Sequence, residues 1–589
     1  MAADELVDSG HREVNASLLP VAAPLPSRWR SLSFHAKAWV LRLLRAGRDF
    51  VQPVPRHGTA DDLREMAVLA ESRSALWPQH ESAWPLAEGK VHNLRVAARA
   101  FDGIVVPAGA TLSFWKQLGR ATRSRRFVPG RELREGCLVP SVGGGLCQLS
   151  NALYETALKG GLEIVERHRH SQVVPGSLAE IDRDATVFWN YLDLRVRSLR
   201  PWRLEVKLDG DTLTVRVRAE ASAEAHAVPL APTPRQASFS SAPGDCTSCG
   251  ETECHHHVGE MPARPRRAWL MDEVAPEFAT YRQRQWQPGD RWLDAQQGGG
   301  WRTKIAAFEA RARRRLALWR GRPVPLAKLG GLQALARRLA RRLGPSDTSV
   351  VVGQGMLPYL WRSGELGGRR FDVLMNALPM HEIQRRLDLA CARHPESLTL
   401  RDFRADASII AAEREALAHA DHWISAHQEV LALAGARGVA LDWQPGTPAK
   451  PTTLPRVVPG QDRTSKLAFV ASSLARKGAF ELREALQGLD VELLLPPGAW
   501  ETPDFWAGFN VRREQSMQAA LDTADLVVLP AWIEHQPRGL LMAMARGIPV
   551  IATAACGLPP GLPWIPIEAG DAQGLRARVV QQLEAKGLQ

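Results

Sequence analysis

The last third of the chain carries short, uninterrupted apolar runs, SVVVGQG, FDVLMNALP and HWISAHQEV, then KLAFVASS, VELLLPPG, ADLVVLPAW and GIPVIATAA, separated by stretches with helical spacing. A strand that is apolar throughout is buried on both faces, and strands that alternate with helices join in parallel through crossovers. The pattern predicts two parallel sheets, divided by the proline-bearing stretch from Thr447 to Pro459. Two Rossmann-like halves follow, over 266–458 and 459–589.

The rest of the chain has a different rhythm. LEVKLDGDTLTVRVRAE, from Leu204 to Glu220, alternates around an Asp-Gly turn and predicts a hairpin. Before it, short β-branched and aromatic runs surround GGGLCQLSNALYETALKGGLEIVERHRHS, from Gly143 to Ser171. Leu146, Leu149, Leu153 and Ala157 recur at helical spacing, which sets Cys147 at a helix N-terminus. Unpaired N–H groups and the positive end of the helix dipole gather there and suit a nucleophilic sulfur. The three glycines, lacking Cβ, allow a neighbouring chain or a ligand to approach closely. A nucleophilic cysteine needs a base and a group that orients the base. His168 and His170 share a face if they lie on a strand, and Asp184 is downstream, so the types for a Cys-His-Asp set are present. Equally open is a structural reading, with Cys147 as a buried small residue.

GGGLCQLSNALY, GLEIVERHRHS and RDATVFWNYLDLRVR, with NLRVAARAFDGIVVPAGATLSFWKQLG upstream, resemble the VanW family over roughly Gly89 to Arg200. The alternating runs around the Cys147 helix predict a mixed α+β domain, set here at 61–220, and the resemblance brings no established reaction. KLAFVASSLARKGAFELREAL and ADLVVLPAWIEHQPRGLLMAMARGIPVIATAACGLP resemble the donor half of retaining GT-B glycosyltransferases. That family uses an Arg and a Lys-Gly for the donor diphosphate and two glutamates for the sugar and ribose. Lys477 before Gly478 and Glu534 match; Ser472 and Met542 stand where the Arg and the second Glu would be. The resemblance implies a nucleotide-sugar donor and a glycan or lipid-linked acceptor. Outside any family motif, Asn376 to His381 or His427 are candidates to face the acceptor, with a structural role for the histidines as the alternative.

A linker over 221–265 holds Cys246, Cys249, Cys254, His255, His256 and His257. Two thiolates separated by two residues, a third Cys and either His255 or His257 suit a structural zinc site, with an iron–sulfur cluster or a metal-free loop as alternatives. At the other end, residues 1–60 divide into a proline-bearing tail and a basic helical pattern. Trp29, Leu32, Ala36, Trp39, Val40, Leu43 and Leu44 form its apolar face, and Arg28, Arg30, Lys37, Arg42, Arg45 and Arg48 supply cations. Such a segment either lies on an anionic membrane over 28–48 or packs its apolar face on the next domain and shows its arginines to water.

The excess of Lys and Arg, 75 against 63 acidic residues, favours anionic partners without choosing among them. The arginine-rich stretches read more simply as helices with a solvated face than as a nucleic-acid surface, so no nucleic-acid partner is expected. An acidic, polar start and the lack of a long apolar run predict a cytoplasmic protein, free or peripheral on the inner face of the membrane. Three functions follow: a glycosyltransferase in cell-envelope glycan assembly, a cysteine-dependent enzyme at Cys147 with a degenerate GT-B module, and a non-catalytic envelope-biogenesis or glycan-binding protein.

Overall fold

The computed structural model describes residues 28–51, 53–77, 84–134, 137–170, 181–189, 191–220, 266–271, 275–294, 324–402, 404–444 and 464–585. The chain divides into two compact units, Met1–Arg264 and Pro265–Gln589.

In the first unit, α1 (Arg28–Val51) precedes β1 (Val68–Ala75), α2 (Trp84–Phe101), β2 (Ile104–Val106), β3 (Thr111–Ser113), α3 (Phe114–Leu118), β4 (Pro129–Arg134) and β5 (Cys137–Val142). Then come α4 (Leu146–Lys159), β6 (Glu163–Glu166), β7 (Arg195–Arg197), β8 (Trp202–Leu208) and β9 (Thr212–Arg218). An antiparallel sheet runs β1-β9-β8-β2, a smaller one β3-β7-β6, and β4 and β5 form a hairpin. The expected Asp-Gly hairpin is β8–β9, where Leu204, Val206, Val215 and Val217 alternate inward against Val91 and Leu94 of α2 and Leu149 and Leu153 of α4. This is a mixed α+β unit whose core is the contact of two helices with one sheet face.

Helix α1 reverses one sequence expectation. Two of its arginines, Arg42 and Arg45, are its anchors instead of facing water: the Arg45 guanidinium donates to both Glu166 carboxylate oxygens at 2.8 Å and to Asp193 Oδ2 at 3.1 Å. Arg42 Nε donates to the Trp189 carbonyl at 3.0 Å, and Asp49 pairs with Arg195. Leu32, Trp39, Val40, Leu43, Leu44 and Phe50 are exposed instead. The reversal has a physical cause in the carboxylates, since Glu166 and Asp193 are partly or fully buried, Arg195 of β7 is one cation between the two of them, and Arg45 of α1 brings a second.

The second unit contains two parallel six-stranded sheets. The first comprises β10 (Arg266–Leu270), β11 (Arg291–Leu293), β12 (Asp347–Gly353), β13 (Arg370–Leu374), β14 (His422–Ser425) and β15 (Gly438–Ala440), in the order β11-β10-β12-β13-β14-β15. The second comprises β16 (Ser465–Phe469), β17 (Val491–Leu495), β18 (Val511–Arg513), β19 (Leu526–Leu529), β20 (Val550–Thr553) and β21 (Trp564–Ile567), in the order β18-β17-β16-β19-β20-β21. Within the second sheet that is the order of a doubly wound dinucleotide fold, which reverses direction between β16 and β19. The seven apolar runs of the sequence supply β12, β13, β14, β16, β17, β19 and β20. The LQALARRLARRLG pattern lies in and just beyond the helix Val324–Ala340, which buries Ala336, Leu339 and Ala340 on the first sheet. The unit is therefore a pair of Rossmann-like halves, the GT-B arrangement. The stretch from Thr447 to Pro459 lies outside the described residues.

Candidate functional site

In open α/β sheets a ligand sits beyond the carboxyl ends of the strands where the order reverses, because the loops leaving the two central strands part there. In the second sheet those are the loops after β16 and β19. Gly478, on the first of them, has φ +79°, and a Cβ there would lie 2.1 Å from the Pro530 carbonyl oxygen. Only glycine lets the two loops pass so closely. The crossing brings Lys477 and Glu534 together: Lys477 Nζ donates to Glu534 Oε2 at 2.9 Å and to the Ile533 carbonyl at 3.0 Å. Glu534 Oε1 accepts from the His535 and Gln536 N–H groups at 2.8 and 3.0 Å. Burial alone would raise the Glu534 carboxyl pKa, but the Lys477 ammonium and the Gln536 N–H hold it below its ordinary value.

Sequence reasoning missed the residues around this pair. Arg476, adjacent to Lys477, is charge-coupled to Glu534 and Glu501, although burial lowers its pKa. Arg538 opens the helix Arg538–Ala545 and forms a bidentate pair with Glu277 of the first half, both contacts 3.0 Å, while also donating to the Gln444 carbonyl at 2.7 Å. A small cavity beside it is lined by Asn376, Ser425, His427, His535 and Gln536, among others. His427 Nε2 bonds the Glu534 carbonyl at 2.9 Å, and His535, whose Nδ1 finds no hydrogen-bond partner among the described residues, is pushed down to about 3 by burial. Thus Asn376 and His427 line the cavity and His381 is not among its walls. Ser472 carries no charge, and Met542 packs against the hydrophobic core. No motif could have announced Glu277, since its partner is 261 positions away.

In the first unit, α4 starts at Leu146 with Gly145 as its N-cap, at φ +94°. A Cβ on Gly144 would lie 2.3 Å from the Gly130 carbonyl oxygen of the β4–β5 hairpin, and one on Gly145 would lie 2.2 Å from Lys90 Cγ of α2. The close neighbour that the glycines admit is thus the chain itself. Cys147 is half-buried, 3.8 Å from both Thr186 Oγ1 and the Val187 carbonyl. Ser150 donates to the Ala185 carbonyl and Asn151 Oδ1 accepts from the Ala185 N–H, which ties α4 to the segment holding Asp184.

His170 Nδ1 is 2.5 Å from Asp184 Oδ1, its N–H donates to Asp184 Oδ2 at 2.6 Å, and its imidazole is electrostatically coupled to the Cys147 sulfur. Burial opposes its charge, yet these hydrogen bonds and the neighbouring Asp184 and Cys147 charges raise its pKa to about 10. His168 takes no part. The two histidines follow the end of β6, so they share no strand face, and His168 Nε2 meets Glu166 Oε1 at 3.0 Å. Gln148 donates to Ser74 Oγ and the Ala75 carbonyl, away from the sulfur.

Cys246, Cys249, Cys254, His255 and His257 lie outside the described residues. Among the described residues no group of three His, Cys, Asp or Glu side chains is placed to hold a metal ion, and no helix is long and apolar enough to cross a membrane.

Residues 89–218 match the family model described as VanW like protein, and residues 504–585 match that described as glycosyl transferases group 1. The chain is 31% identical over 167 residues to the vancomycin B-type resistance protein VanW of Enterococcus faecalis, an alignment covering 27% of this chain and 60% of that protein. It is 35% identical over 111 residues to the uncharacterized protein YoaR of Bacillus subtilis, covering 19% of this chain and 36% of YoaR. The chain therefore spans less than two thirds of either relative. Among solved structures, it is similar to the lipopolysaccharide outer core galactosyltransferase WaaB, with 13% identity, 55% of this chain and 91% of that one covered, and a TM-score of 0.33. It is also similar to sucrose-phosphate synthase from Thermosynechococcus elongatus, with 16% identity, 55% and 90% covered, and a TM-score of 0.32. The chain thus joins a VanW-like domain to a group 1 glycosyltransferase module.

Proposed function

We propose that the Pro265–Gln589 unit transfers a sugar, with retention, from a nucleotide donor to a glycan or lipid-linked acceptor of the bacterial cell envelope. The observation that carries this reading is the meeting of Lys477 and Glu534 on the two loops that flank the strand-order reversal. A donor diphosphate requires cations and free backbone N–H groups; Lys477, Arg476 and the helix opened by Arg538 offer both. The Glu534 carboxylate is suited to accept hydrogen bonds from sugar hydroxyls. With Ser472 and Met542 in place of the usual Arg and Glu, the donor would depend on Arg476 and Arg538, the latter released from Glu277. Asn376 and His427 stand on the acceptor side. The VanW-like domain serves this transfer as an accessory, and the name of one relative, a vancomycin B-type resistance protein, supports an envelope role.

Thermal unfolding of the full chain with UDP, GDP and their glucose and mannose conjugates tests the reading. A donor present at a hundred times its Kd adds about 2.7 kcal/mol of stability. Glu534→Gln is expected to retain stabilisation by the bare nucleotide and to lose the extra stabilisation by the sugar conjugate. A chain indifferent to every nucleotide would refute the proposal.

Two finer readings accompany it. The exposed apolar face of α1 supports peripheral contact with a membrane surface, which would place the protein in the cytoplasm at the inner face. The spacing of Cys246, Cys249 and Cys254 before His255 and His257 supports one structural zinc, with an iron–sulfur cluster as the alternative.

A further inference from the structure

Cys147, His170 and Asp184 come from three separate stretches of the first unit, and the fold sets them in series. Asp184, fully buried, accepts two hydrogen bonds from His170, one from the ring and one from the main chain, so both the tautomer and the orientation of the imidazole are fixed. With Nδ1 committed to Asp184, Nε2 is the ring atom left for Cys147. The segment holding Asp184 is in turn clamped to the Cys147 helix through Ser150 and Asn151, so the relation of acid to nucleophile belongs to one rigid piece. The three side chains do not surround a common point, as metal ligands would.

We propose that the Met1–Arg264 unit is an acyl-transfer centre in which Cys147 takes the acyl group of an ester or amide that carries an anionic substituent near its carbonyl. Three further features bear on this. Cys147 is the second residue of a fourteen-residue helix whose cap, Gly145, has no side chain; the Gly145 carbonyl accepts from the Gln148 N–H at 3.1 Å, and no side-chain cap covers the N–H groups of Leu146 and Cys147. Those groups are the natural donors to an oxyanion forming on a carbonyl attacked by the adjacent sulfur. Cys147 is half-buried rather than sealed, unlike Cys556, whose thiol burial pushes up to about 12. Finally, the stem of Lys90 crosses Gly145, and the Arg131 guanidinium is close enough to repel the Lys90 ammonium. Burial and Arg131 push Lys90 down to about 7, a cost that a bound carboxylate would relieve.

In the reaction, the sulfur, its proton held by His170, adds to the carbonyl carbon. The C–O or C–N bond then breaks, and His170 returns the proton to the departing alcohol or amine. Water or an amine next attacks the resulting thioester and gives its proton to His170. The S–C bond breaks and that proton regenerates the thiol. Asp184 is a positioning residue throughout.

The test is acylation of the full chain by two p-nitrophenyl esters, the neutral acetate and the anionic hemisuccinate. The expected result is a burst of p-nitrophenol with a hydroxylamine-labile adduct on the peptide containing Cys147, formed faster than on the partly exposed Cys391. Cys147→Ala should abolish the adduct, and His170→Gln should slow its formation about 100-fold while leaving the melting temperature close to that of the wild type. Lys90→Met or Arg131→Gln should raise KM for the hemisuccinate and leave the acetate unchanged. Should Cys147→Ala fail to fold, the wild-type adduct map decides alone. A Cys147 that acylates no faster than Cys391, or one whose rate is untouched by His170→Gln, overturns the proposal. Equal rates on both esters overturn its anionic part.

Discussion

Glu277 and Arg538 meet across the two halves of the glycosyltransferase-like unit in a bidentate pair with both contacts at 3.0 Å, although 261 positions separate them. Glu277 is 3% exposed and also accepts from the Gln444 N–H at 3.0 Å. Removing the cation leaves a buried carboxylate with one neutral donor. Arg538→Ala is therefore expected to destabilise the unit by about 2–3 kcal/mol, less than for a fully buried pair because Arg538 keeps some contact with water. Glu277→Gln is expected to cost less, since the amide keeps a hydrogen bond, and to free Arg538 for an anion. Urea denaturation of both variants checks the order; equal losses would show that the pair does not act through the buried charge.

A second prediction concerns Glu413, fully buried on the helix Ala407–His419, where its carboxyl accepts from the Met380 N–H and Gln354 Nε2. Burial raises its pKa to about 7 against the pull of those two donors. A group whose folded pKa is raised stabilises the fold fully below its unfolded pKa and loses that contribution as pH climbs through the folded value. The wild type should therefore weaken between about pH 4.5 and 8, by up to about 3 kcal/mol on the scale of 1.36 kcal/mol per unit. Glu413→Gln cannot ionise. Its melting temperature relative to the wild type should rise across that range, and a difference that stays flat with pH would contradict the assignment.

For α1, the exposed Trp39, Leu43 and Leu44 share a helix that Arg42 and Arg45 hold to the unit. Co-sedimentation with vesicles containing phosphatidylglycerol is expected to retain the full chain, and Leu43→Glu with Leu44→Glu to release it without a change in melting temperature. Arg45→Ala should instead lower stability, because it leaves the Glu166 and Asp193 carboxylates to share Arg195. Retention of the double variant would dismiss the apolar face as the contact.

The cysteine cluster is checked by elemental analysis of the purified chain, with about one zinc per chain expected. Cys246→Ser with Cys249→Ser should abolish it, since a Cys3His site that loses two thiolates no longer closes a tetrahedron. Iron with labile sulfide in place of zinc would select the cluster alternative.

What the sequence determined by itself was mostly periodicity and backbone demand. Apolar runs such as KLAFVASS and ADLVVLPAW, too short for a buried helix and set between helical stretches, specify strands buried on both faces. Gly145 could be read as a place of close approach, because a residue without Cβ tolerates both the space and the backbone there, whereas the loop crossing at Gly478 came only with the fold. The candidate types Cys147, His170 and Asp184 were also legible, but not which histidine faces the sulfur. Tertiary structure settled that choice through the irregular path after β6, which turns His168 to Glu166 and His170 to Asp184. It likewise turned α1 over, since helical spacing records which residues share a face and not what stands opposite them. The buried carboxylates Glu166 and Asp193 stand there, and a buried charge calls for its counter-ion more strongly than a few leucines call for cover.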